Sequence, residues 1–265
     1  MFLSLALFLL TVIFGGLTGG LVKLLDLQYP PIAIVLSRFF AGAVILSIFF
    51  LRKQFVRAVL KNKYLVLSGL LFTTNATLYT FGIPYTSLIM GQLLYVPTAI
   101  VVAVIGYIFL KEKLDRAQII GLIVALVGMA ILFWGSVQTS DILSFGKPLG
   151  NILIGIAMFS WAFYIVVSRK LSHKYSAMQI TLVNFLVASL FSLFAFILMK
   201  AFGIGNTQWN PLNPQGLLPL LSLGIIGLLF LIFFQQLIKK TSAFTSSLVT
   251  YVNPVFAVFF GALFF

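Results

Sequence analysis

The feature that most restricts the fold of this chain is a stretch of 47 residues, positions 64 to 110, that contains no charged side chain. As one straight α-helix it would extend about 70 Å, at 1.5 Å per residue. The hydrocarbon core of a bilayer is only about 30 Å thick, so a spanning helix needs about 20 apolar residues. The stretch therefore predicts two membrane-spanning helices, with a turn at Gly82-Ile83-Pro84, where glycine and proline interrupt the helix.

The rest of the chain is similarly apolar. Hydrophobic residues make up 62% of its 265 positions, charged residues make up 8%, and the mean hydropathy is +1.17. A soluble domain of this length has far more charged surface, so this chain needs lipid as its solvent. We predict an all-α, polytopic transmembrane helix bundle with nine spans. They fall at roughly 2–22, 31–51, 64–83, 87–110, 117–136, 149–168, 176–199, 216–238 and 243–265.

Basic residues between the spans predict the orientation of the chain. There are 17 Lys and Arg against four Asp and Glu, which gives a net charge of +13. If the N-terminus is cytoplasmic, the outside loops hold only Lys23, Lys147 and Lys200, and cytoplasmic loops are where membrane proteins carry their excess of bases. We expect a multi-pass protein of the cell (inner) membrane and no nucleic-acid partner, because no basic stretch could form a separate domain. The inside loops then hold Arg52, Lys53, Arg57, Lys61, Lys63, Lys111, Lys113, Arg116, Arg169, Lys170, Lys174, Lys239 and Lys240.

The two halves of the chain resemble each other in sequence. LLYVPTAIVVAVIGYIF at 93–109 aligns with TYVNPVFAVFFGALFF at 250–265, and PPIAIVLSRFFAGAVIL at 30–46 aligns with YSAMQITLVNFLVASL at 175–190. We therefore divide the chain into a first unit at 1–136 and a second unit at 148–265. Because five helices per unit is an odd number, the second copy enters the membrane inverted. Many secondary transporters use such inverted repeats to build a site that opens to either side.

A longer pattern carries a resemblance to a known family. YVPTAIVVAVIGYIFLKEKLDRAQIIGLIVALVGMAIL at 95–132 has a proline-bearing helix, a K-E-K-L turn with Glu112, and a following helix with Gly121 and Gly128. Together with the spacing from Pro31 to Arg38, it resembles the EamA-type domain of the drug/metabolite transporter superfamily. The resemblance implies a ten-helix bundle of two inverted five-helix repeats (5+5), with both termini in the cytoplasm, and it implies transport of metabolites.

The chain departs from that arrangement by one helix. In the first repeat Glu112 follows Pro97 by 15 positions, and the same spacing after Pro254 falls at position 269, beyond Phe265. The tenth helix of the pattern is therefore missing. We expect the sequence to be a truncated form of a longer chain, which would continue with a Glu-containing turn and about 20 apolar residues.

The chain offers little to a catalytic mechanism. Its single histidine, His173, lies in the basic loop RKLSHKYS, and its four acids lie near helix ends or in loops. It has no cysteine, no H-E-x-x-H motif and no histidine-serine-acid set. We therefore expect no enzyme activity, no metal and no cofactor. A carrier driven by protons or sodium usually has a carboxylate at membrane depth, so the sequence favours uniport, exchange or coupling by another route.

Arg38 is the charged residue that lies well inside a predicted span, about 10 Å along the helix from Pro31. Its guanidinium can bind a substrate carboxylate or phosphate through two parallel hydrogen bonds. It can also extend toward the membrane surface, or bind carbonyl groups of a neighbouring helix. Both the substrate-binding role and the structural role stay open at the level of sequence.

Uncharged polar and aromatic residues are concentrated on several spans and predict a central cavity. Asn75 and Tyr79 are four residues apart, and Trp161 and Tyr164 are three apart, so each pair shares one helical face. Such groups need partners or water inside hydrocarbon, and hydrogen bonding between helices is the alternative role of each one. The candidate substrate-binding residues are Arg38, Asn75, Tyr79, Tyr95, Trp161, Tyr164, Gln235 and Tyr251.

Two prolines are candidate hinges. Pro97 and Pro254 occupy equivalent positions in the two units, and a proline within a helix removes a backbone hydrogen bond and bends the helix. Static kinks are the alternative to hinges. On the first span, Gly15 and Gly19 form a G-x-x-x-G face, which is typical of close helix packing.

The sequence favours a secondary transporter that moves small organic metabolites, such as amino acids or related compounds, by alternating access. Export is the direction that the resemblance implies. The alternatives are a non-transporting structural or regulatory membrane subunit and a lipid flippase. The expected partners are a small-molecule substrate and the lipid bilayer, and a homodimer stays open.

Overall fold

The computed structural model describes residues 2–50, 62–138, 146–208, 214–253 and 256, and every regular element in these ranges is helical. The predicted all-α class is therefore confirmed for the described part of the chain. A 3₁₀ turn covers Ile83–Tyr85. The helices are α1 (Phe2–Asp26), α2 (Pro31–Phe50), α3 (Lys63–Gly82), α4 (Leu88–Leu93), α5 (Thr98–Leu110), α6 (Arg116–Gln138), α7 (Pro148–Ser172), α8 (Ala177–Phe202), α9 (Pro214–Lys240) and α10 (Ala243–Ser247).

Seven helical segments of the described residues are long and apolar enough to cross a bilayer. The sequence predicts nine spans. The fifth predicted span lies within α6, several of whose side chains are not described, and the ninth begins with α10 and continues into residues that the structure does not describe. The structure therefore supports seven spans and not the full count. The seven are Phe2–Asp26, Pro31–Ile48, Lys63–Tyr85, Met90–Leu110, Pro148–Ser172, Ala177–Phe202 and Leu218–Lys240.

The uncharged stretch turns back where the sequence predicts it. α3 ends at Gly82, and the 3₁₀ turn follows directly. At this end α3 and α7 pack closely, since a Cβ on Gly82 would lie 2.7 Å from the Cγ1 of Ile154, and a Cβ on Gly150 would lie 2.8 Å from the carbonyl oxygen of Gly82. Glycine at both positions therefore allows the two backbones to approach.

The fourth predicted span is two helices and not one bent helix. Residues 94–97 form a turn between α4 and α5, and Pro97, with φ −63° and ψ −11°, stands directly before the first residue of α5. Because proline lacks an amide hydrogen, it is well suited to begin a helix. The expectation that Pro97 bends a continuous helix at its middle is corrected accordingly. Pro254, the second candidate hinge, lies outside the described residues.

In the interior of the bundle, helices of the first predicted unit pack against helices of the second predicted unit. α1 packs along α9, α2 along α8 and α9, and α3 along α7 and α8. At the centre the rings of Phe39, Phe72 and Phe185 are fully buried, with centroids 5.4 to 5.9 Å apart. α6 is peripheral: most of its described side chains are exposed, and a Cβ on Gly121 or Gly128 would meet no other part of the described structure within 4 Å.

Glu112 lies between α5 and α6 of the first unit and joins this unit to the second unit. Its Oε1 accepts a hydrogen bond from Nε of Arg169 at 2.9 Å, and its Oε2 accepts one from the backbone N–H of Ala243 at 3.0 Å. Nη1 of Arg169 also donates to the carbonyl oxygen of Ile238 at 2.9 Å. Lys111 has a left-handed conformation, with φ 59°, and turns the chain out of α5 toward this contact. The ion pair therefore links the ends of α5, α7 and α9 with the start of α10.

Candidate functional site

A cavity of about 90 Å³ lies among the central helices. Its walls come from α1, α2, α3, α4, α7 and α9 and from the helical residues 249–253, so both predicted units contribute. Five of the eight predicted substrate-binding residues line it, namely Arg38, Asn75, Tyr79, Tyr95 and Trp161.

Hydrogen bonds between helices hold the polar wall of this cavity. Nδ2 of Asn75 donates to the hydroxyl of Tyr95 and, at 2.9 Å, to the carbonyl oxygen of Ala157 on α7. Nε2 of Gln92 donates to the hydroxyl of Tyr79 at 3.1 Å, and the rings of Tyr79 and Tyr95 meet edge-on with centroids 5.9 Å apart. These bonds fix the amide and hydroxyl groups in place before any ligand arrives.

Another part of the lining is aromatic. The indole of Trp161 stacks on Tyr164 and on Phe234, with centroids 4.9 Å apart in each case, and on Phe230 at 6.0 Å. Trp161 and Phe230 face the cavity, while Tyr164 and Phe234 lie behind them. Flat aromatic faces of this kind bind apolar or planar groups without demanding hydrogen bonds.

Arg38 borders the cavity as a buried positive charge. Only 6% of its surface is exposed, so its side chain does not extend to the membrane surface. Its guanidinium lies against Gly227 of α9, where a Cβ would come within 2.9 Å of Nε. Nε has no hydrogen-bond partner, and neither of the two ion pairs among the described residues includes Arg38.

Tyr164 and Gln235 lie outside the cavity lining, in a buried network of their own. Nδ2 of Asn184 donates to the Tyr164 hydroxyl at 2.8 Å, and Nε2 of Gln235 donates to the same hydroxyl and, at 3.1 Å, to Oγ of Ser168. Oγ of Ser68 donates to Oδ1 of Asn184 at 2.9 Å. All five side chains are fully buried and none lines the cavity, so the network connects α3, α7, α8 and α9 behind the lining.

The eighth predicted residue, Tyr251, also lies outside the lining, partly exposed, and its hydroxyl has no hydrogen-bond partner among the described residues. His173 is exposed in its loop, as expected. Within the described ranges, no group of three or more His, Asp or Glu side chains could hold a metal ion.

Several lining residues were not among the predicted ones. Gly15 and Gly19 face the cavity, so the G-x-x-x-G pattern on α1 serves the cavity as well as packing. The spacing of four residues between the two glycines was a sequence signal that could have identified this face of α1, and Thr18 lies on the same face. Thr250 and Asn253 precede Pro254 in the polar segment TYVN, which was a second signal. The apolar lining residues Phe72, Ala76, Phe230 and Val249 carry no signal in sequence, because most residues of these spans are apolar.

Comparison with known families identifies the chain. Residues 2–134 and 148–265 match the EamA-like transporter family. The chain belongs to this family. With seven apolar helices in its described part, this EamA-like chain is a multi-pass membrane protein.

Several relatives of this EamA-like chain are named as transporters. The uncharacterized transporter YyaM of Bacillus subtilis is 28% identical over 258 residues, which cover 92% of this chain and 80% of that one. Protein RarD of Escherichia coli is 26% identical over 236 residues, covering 87% and 74%. An uncharacterized transporter of Archaeoglobus fulgidus is 25% identical over 243 residues, covering 88% and 79%. These relationships support a membrane transporter.

A solved crystal structure has a similar fold. It superposes with a TM-score of 0.65 at 17% sequence identity, over 95% of this chain and 87% of that one. At this identity the similarity concerns the fold alone.

Proposed function

We propose that this protein is a secondary transporter that exports small organic metabolites, amino acids or related compounds, across the inner membrane by alternating access. The observation that carries the proposal is a central cavity to which both predicted units contribute polar and aromatic walls. A site between two units is where a transporter can bind a substrate and expose it to each side in turn.

The chemistry of the walls supports amino acids or related compounds. Asn75, Gln92, Tyr79 and Tyr95 supply amide and hydroxyl groups that can share hydrogen bonds with a polar head group. Trp161 supplies an aromatic face for an apolar side chain. A metabolite with one polar end and one apolar end matches both walls.

The size of the cavity supports a moving structure. At about 90 Å³ it holds a few water molecules, whereas sites for drug-sized ligands usually have about 300–1,000 Å³. A bound metabolite therefore requires the walls to separate. Since those walls belong to different units, a relative rotation of the two units would enlarge the cavity.

Three pairs of features support an inverted repeat. The first is helix packing: α1 of the first unit packs on α9, and α7, the corresponding first helix of the second unit, packs on α3. In each contact, the first helix of one unit packs on the third helix of the other unit, so the two contacts are equivalent.

The second pair consists of bases at the ends of α1 and α7. Nζ of Lys23 donates to the carbonyl oxygen of Ile83, just past the end of α3, at 3.0 Å. Nη1 of Arg169 donates to the carbonyl oxygen of Ile238, near the end of α9, at 2.9 Å. Cations are favourable where helix carbonyl groups lack partners, so each base stabilises the end of the helix on which its own helix packs.

The third pair consists of the broken helices before the two candidate hinges. Ser87 caps the short α4 and Ser242 caps the short α10, each by accepting a hydrogen bond from the amide three residues later. The residue directly after each helix is a leucine with φ −62° and ψ −17°. It is Leu94 after α4 and Leu248 after α10. The fourth helix of each unit therefore starts with the same interrupted geometry.

The Glu112–Arg169 ion pair supplies a contact that alternating access would break and remake. It joins the units at the end of the bundle where the loop bases predict the cytoplasm. Ion pairs with backbone acceptors can be exchanged for water at little net cost when they are partly exposed, as both of these side chains are.

Efflux from proteoliposomes tests the proposal. The purified protein is reconstituted with an internal mixture of amino acids, nucleosides, sugars and polyamines, and the release of each compound is followed by mass spectrometry. We expect amino acids or related compounds to leave faster than from protein-free liposomes.

Two phenylalanine substitutions on α1 test whether the flux uses the cavity. Thr18 lines the cavity and is 8% exposed, while Leu9 is 48% exposed on the outer surface. Thr18→Phe fills the cavity and should remove most of the efflux, and Leu9→Phe should leave it unchanged. Release at the protein-free rate for every compound would favour a non-transporting subunit. Equal efflux from both variants would show that substrate takes another route.

A further inference from the structure

The charge of Arg38 is not balanced by any described side chain. The chain has only four acids, and a buried charge without a partner lowers the stability of the folded state. Asp26 pairs with Lys23, and Glu112 pairs with Arg169. Asp115 accepts a hydrogen bond from the backbone N–H of Gln118 at the start of α6, and Asp141 lies outside the described residues.

Neither structural role that the sequence allows for Arg38 fits its position. A guanidinium that extends to the membrane surface is exposed to water, but Arg38 is 6% exposed in the middle of the bundle. A guanidinium that binds carbonyl groups of a neighbouring helix has hydrogen-bond acceptors, but Nε of Arg38 has none among the described residues. The side chain is therefore held at the cavity without a structural partner.

Gly227 provides the space for this guanidinium. A Cβ at position 227 would lie 2.9 Å from Nε, 3.4 Å from Nη2 and 3.5 Å from Cζ of Arg38. Any other residue at this position of α9 would push the guanidinium away. The ring of Phe39 lies on another side, with its centroid 5.4 Å from Cζ.

A second polar group of the cavity also lacks a partner. Oδ1 of Asn253 is buried and accepts no hydrogen bond from a described residue. A ligand that presents an anion to Arg38 and an N–H or O–H donor to Asn253 would satisfy both groups at once.

From these observations we infer that the transported substrate carries an anionic head group, a carboxylate or a phosphate, and that Arg38 binds this group in the cavity. The inference rests on the proposed function and adds the charge of the substrate to it. The guanidinium offers two parallel N–H donors to a carboxylate or phosphate, and the ligand supplies the negative charge that no described side chain provides. Because no described side chain balances the cation, the cavity favours entry of an anion over a neutral or cationic compound of the same shape.

Ligand-induced thermal stabilisation of the purified full-length chain tests the charge requirement. The probes are benzoate, benzamide and benzylamine, which share one ring and differ in charge, and inorganic phosphate as the second anion. A ligand that binds only the folded protein raises its melting temperature. We expect benzoate or phosphate to stabilise the protein, and the response to each to show which anion fits. Benzamide and benzylamine should give no comparable shift.

Substitutions at Arg38 and Gly227 assign the effect to this site. Arg38→Gln should weaken binding of the stabilising anion about 10- to 100-fold, since it removes a charge-assisted hydrogen bond. Without ligand it should melt no lower than the wild type, because it removes an unbalanced buried charge. Gly227→Ala displaces the guanidinium and should also weaken binding, whereas Gly155→Ala on α7, where a Cβ meets nothing within 4 Å, should not.

The outcomes separate this inference from the transport function. Equal stabilisation by all three ring compounds, no stabilisation by either anion, or an unchanged anion response in Arg38→Gln would each overturn the role of Arg38. If Arg38→Gln does not fold, the anion response of Gly227→Ala decides the question in the same way. Anion binding without efflux of any compound would keep the site and contradict transport. Efflux of a neutral or cationic metabolite without anion binding would keep transport and contradict the site.

Discussion

At the scale of single residues, three tyrosines whose hydroxyls all accept a hydrogen bond from a side-chain amide differ in whether they line the cavity. Tyr79 and Tyr95 lie on the cavity wall, while Tyr164 accepts hydrogen bonds from Asn184 and Gln235 behind the aromatic stack. Trp161 and Tyr164 share a helical face, as the sequence predicts, but they differ in depth by about one turn. Helical periodicity fixes the face of a side chain and does not fix which neighbours it meets.

The substitution Tyr164→Phe should destabilise the protein without a direct effect on substrate binding. It leaves the side-chain amide of Asn184 without an acceptor and that of Gln235 with Oγ of Ser168 alone, in a fully buried site, which costs about 1–3 kcal/mol. We expect a lower melting temperature in detergent and an unchanged substrate concentration for half-maximal efflux.

Tyr95→Phe is the matched control. Asn75 keeps the Ala157 carbonyl oxygen as an acceptor at 2.9 Å, so the loss of stability should be smaller, and the changed cavity wall should alter substrate affinity. A larger stability loss for Tyr95→Phe than for Tyr164→Phe would contradict this division of roles.

At the scale of elements, the interrupted fourth span is the feature most closely connected to the cavity. Gln92 lies near the end of α4, just before the break, and Tyr95 lies within the break. Both side chains line the cavity. A continuous helix through 88–110 would turn these side chains to other directions. The break therefore sets the polar wall, and Pro97 at its end keeps α4 and α5 separate.

Pro97→Ala should reduce transport more than it reduces the yield of folded protein. Alanine restores the amide hydrogen and has a high helix propensity, so α4 and α5 can join across 94–97 and move Tyr95. The measurements are the efflux rate per folded protein and the yield of monodisperse protein. Pro148→Ala is the control, because Pro148 stands at the start of α7, away from the cavity. Equal losses of yield and efflux would limit Pro97 to a role in assembly.

At the scale of the whole molecule, the two predicted units are interleaved. α1, α2 and α3 pack mainly on α7, α8 and α9, and the Glu112–Arg169 ion pair connects the units at one end. The cavity exists only where these helices meet, so neither unit would form it alone. The orientation of this bundle in the membrane rests on the distribution of the loop bases.

Labelling of single cysteines in intact cells checks that orientation. The chain has no cysteine of its own, so one introduced thiol gives an unambiguous signal. Lys147 and Lys174 are exposed at opposite ends of α7. We expect a membrane-impermeant maleimide to label Lys147→Cys and to leave Lys174→Cys unlabelled until the cells are opened. The reverse pattern would place the N-terminus outside.

The sequence by itself determined the class of the protein and the order of its elements. Hydropathy is a local property, so the length of each apolar segment predicted the helices, including the turn after Gly82. The repeated proline segments and the K-E-K-L pattern indicated the family to which the chain belongs. Glu112 belongs to that K-E-K-L turn, but its ion-pair partner, Arg169, is 57 positions away and could not be read from the sequence.

Only the tertiary structure decided which polar groups meet. Arg38 and Gly227 are 189 positions apart, and Ser68 and Asn184 are 116 apart, so their contacts depend on how each helix is rotated about its axis. In spans that are apolar on nearly every side, the sequence contains no strong periodic signal for that rotation. The packing of α2 on α8 and α9 sets it instead, and this packing brings Arg38 to the cavity while Tyr164 and Gln235 lie behind its wall.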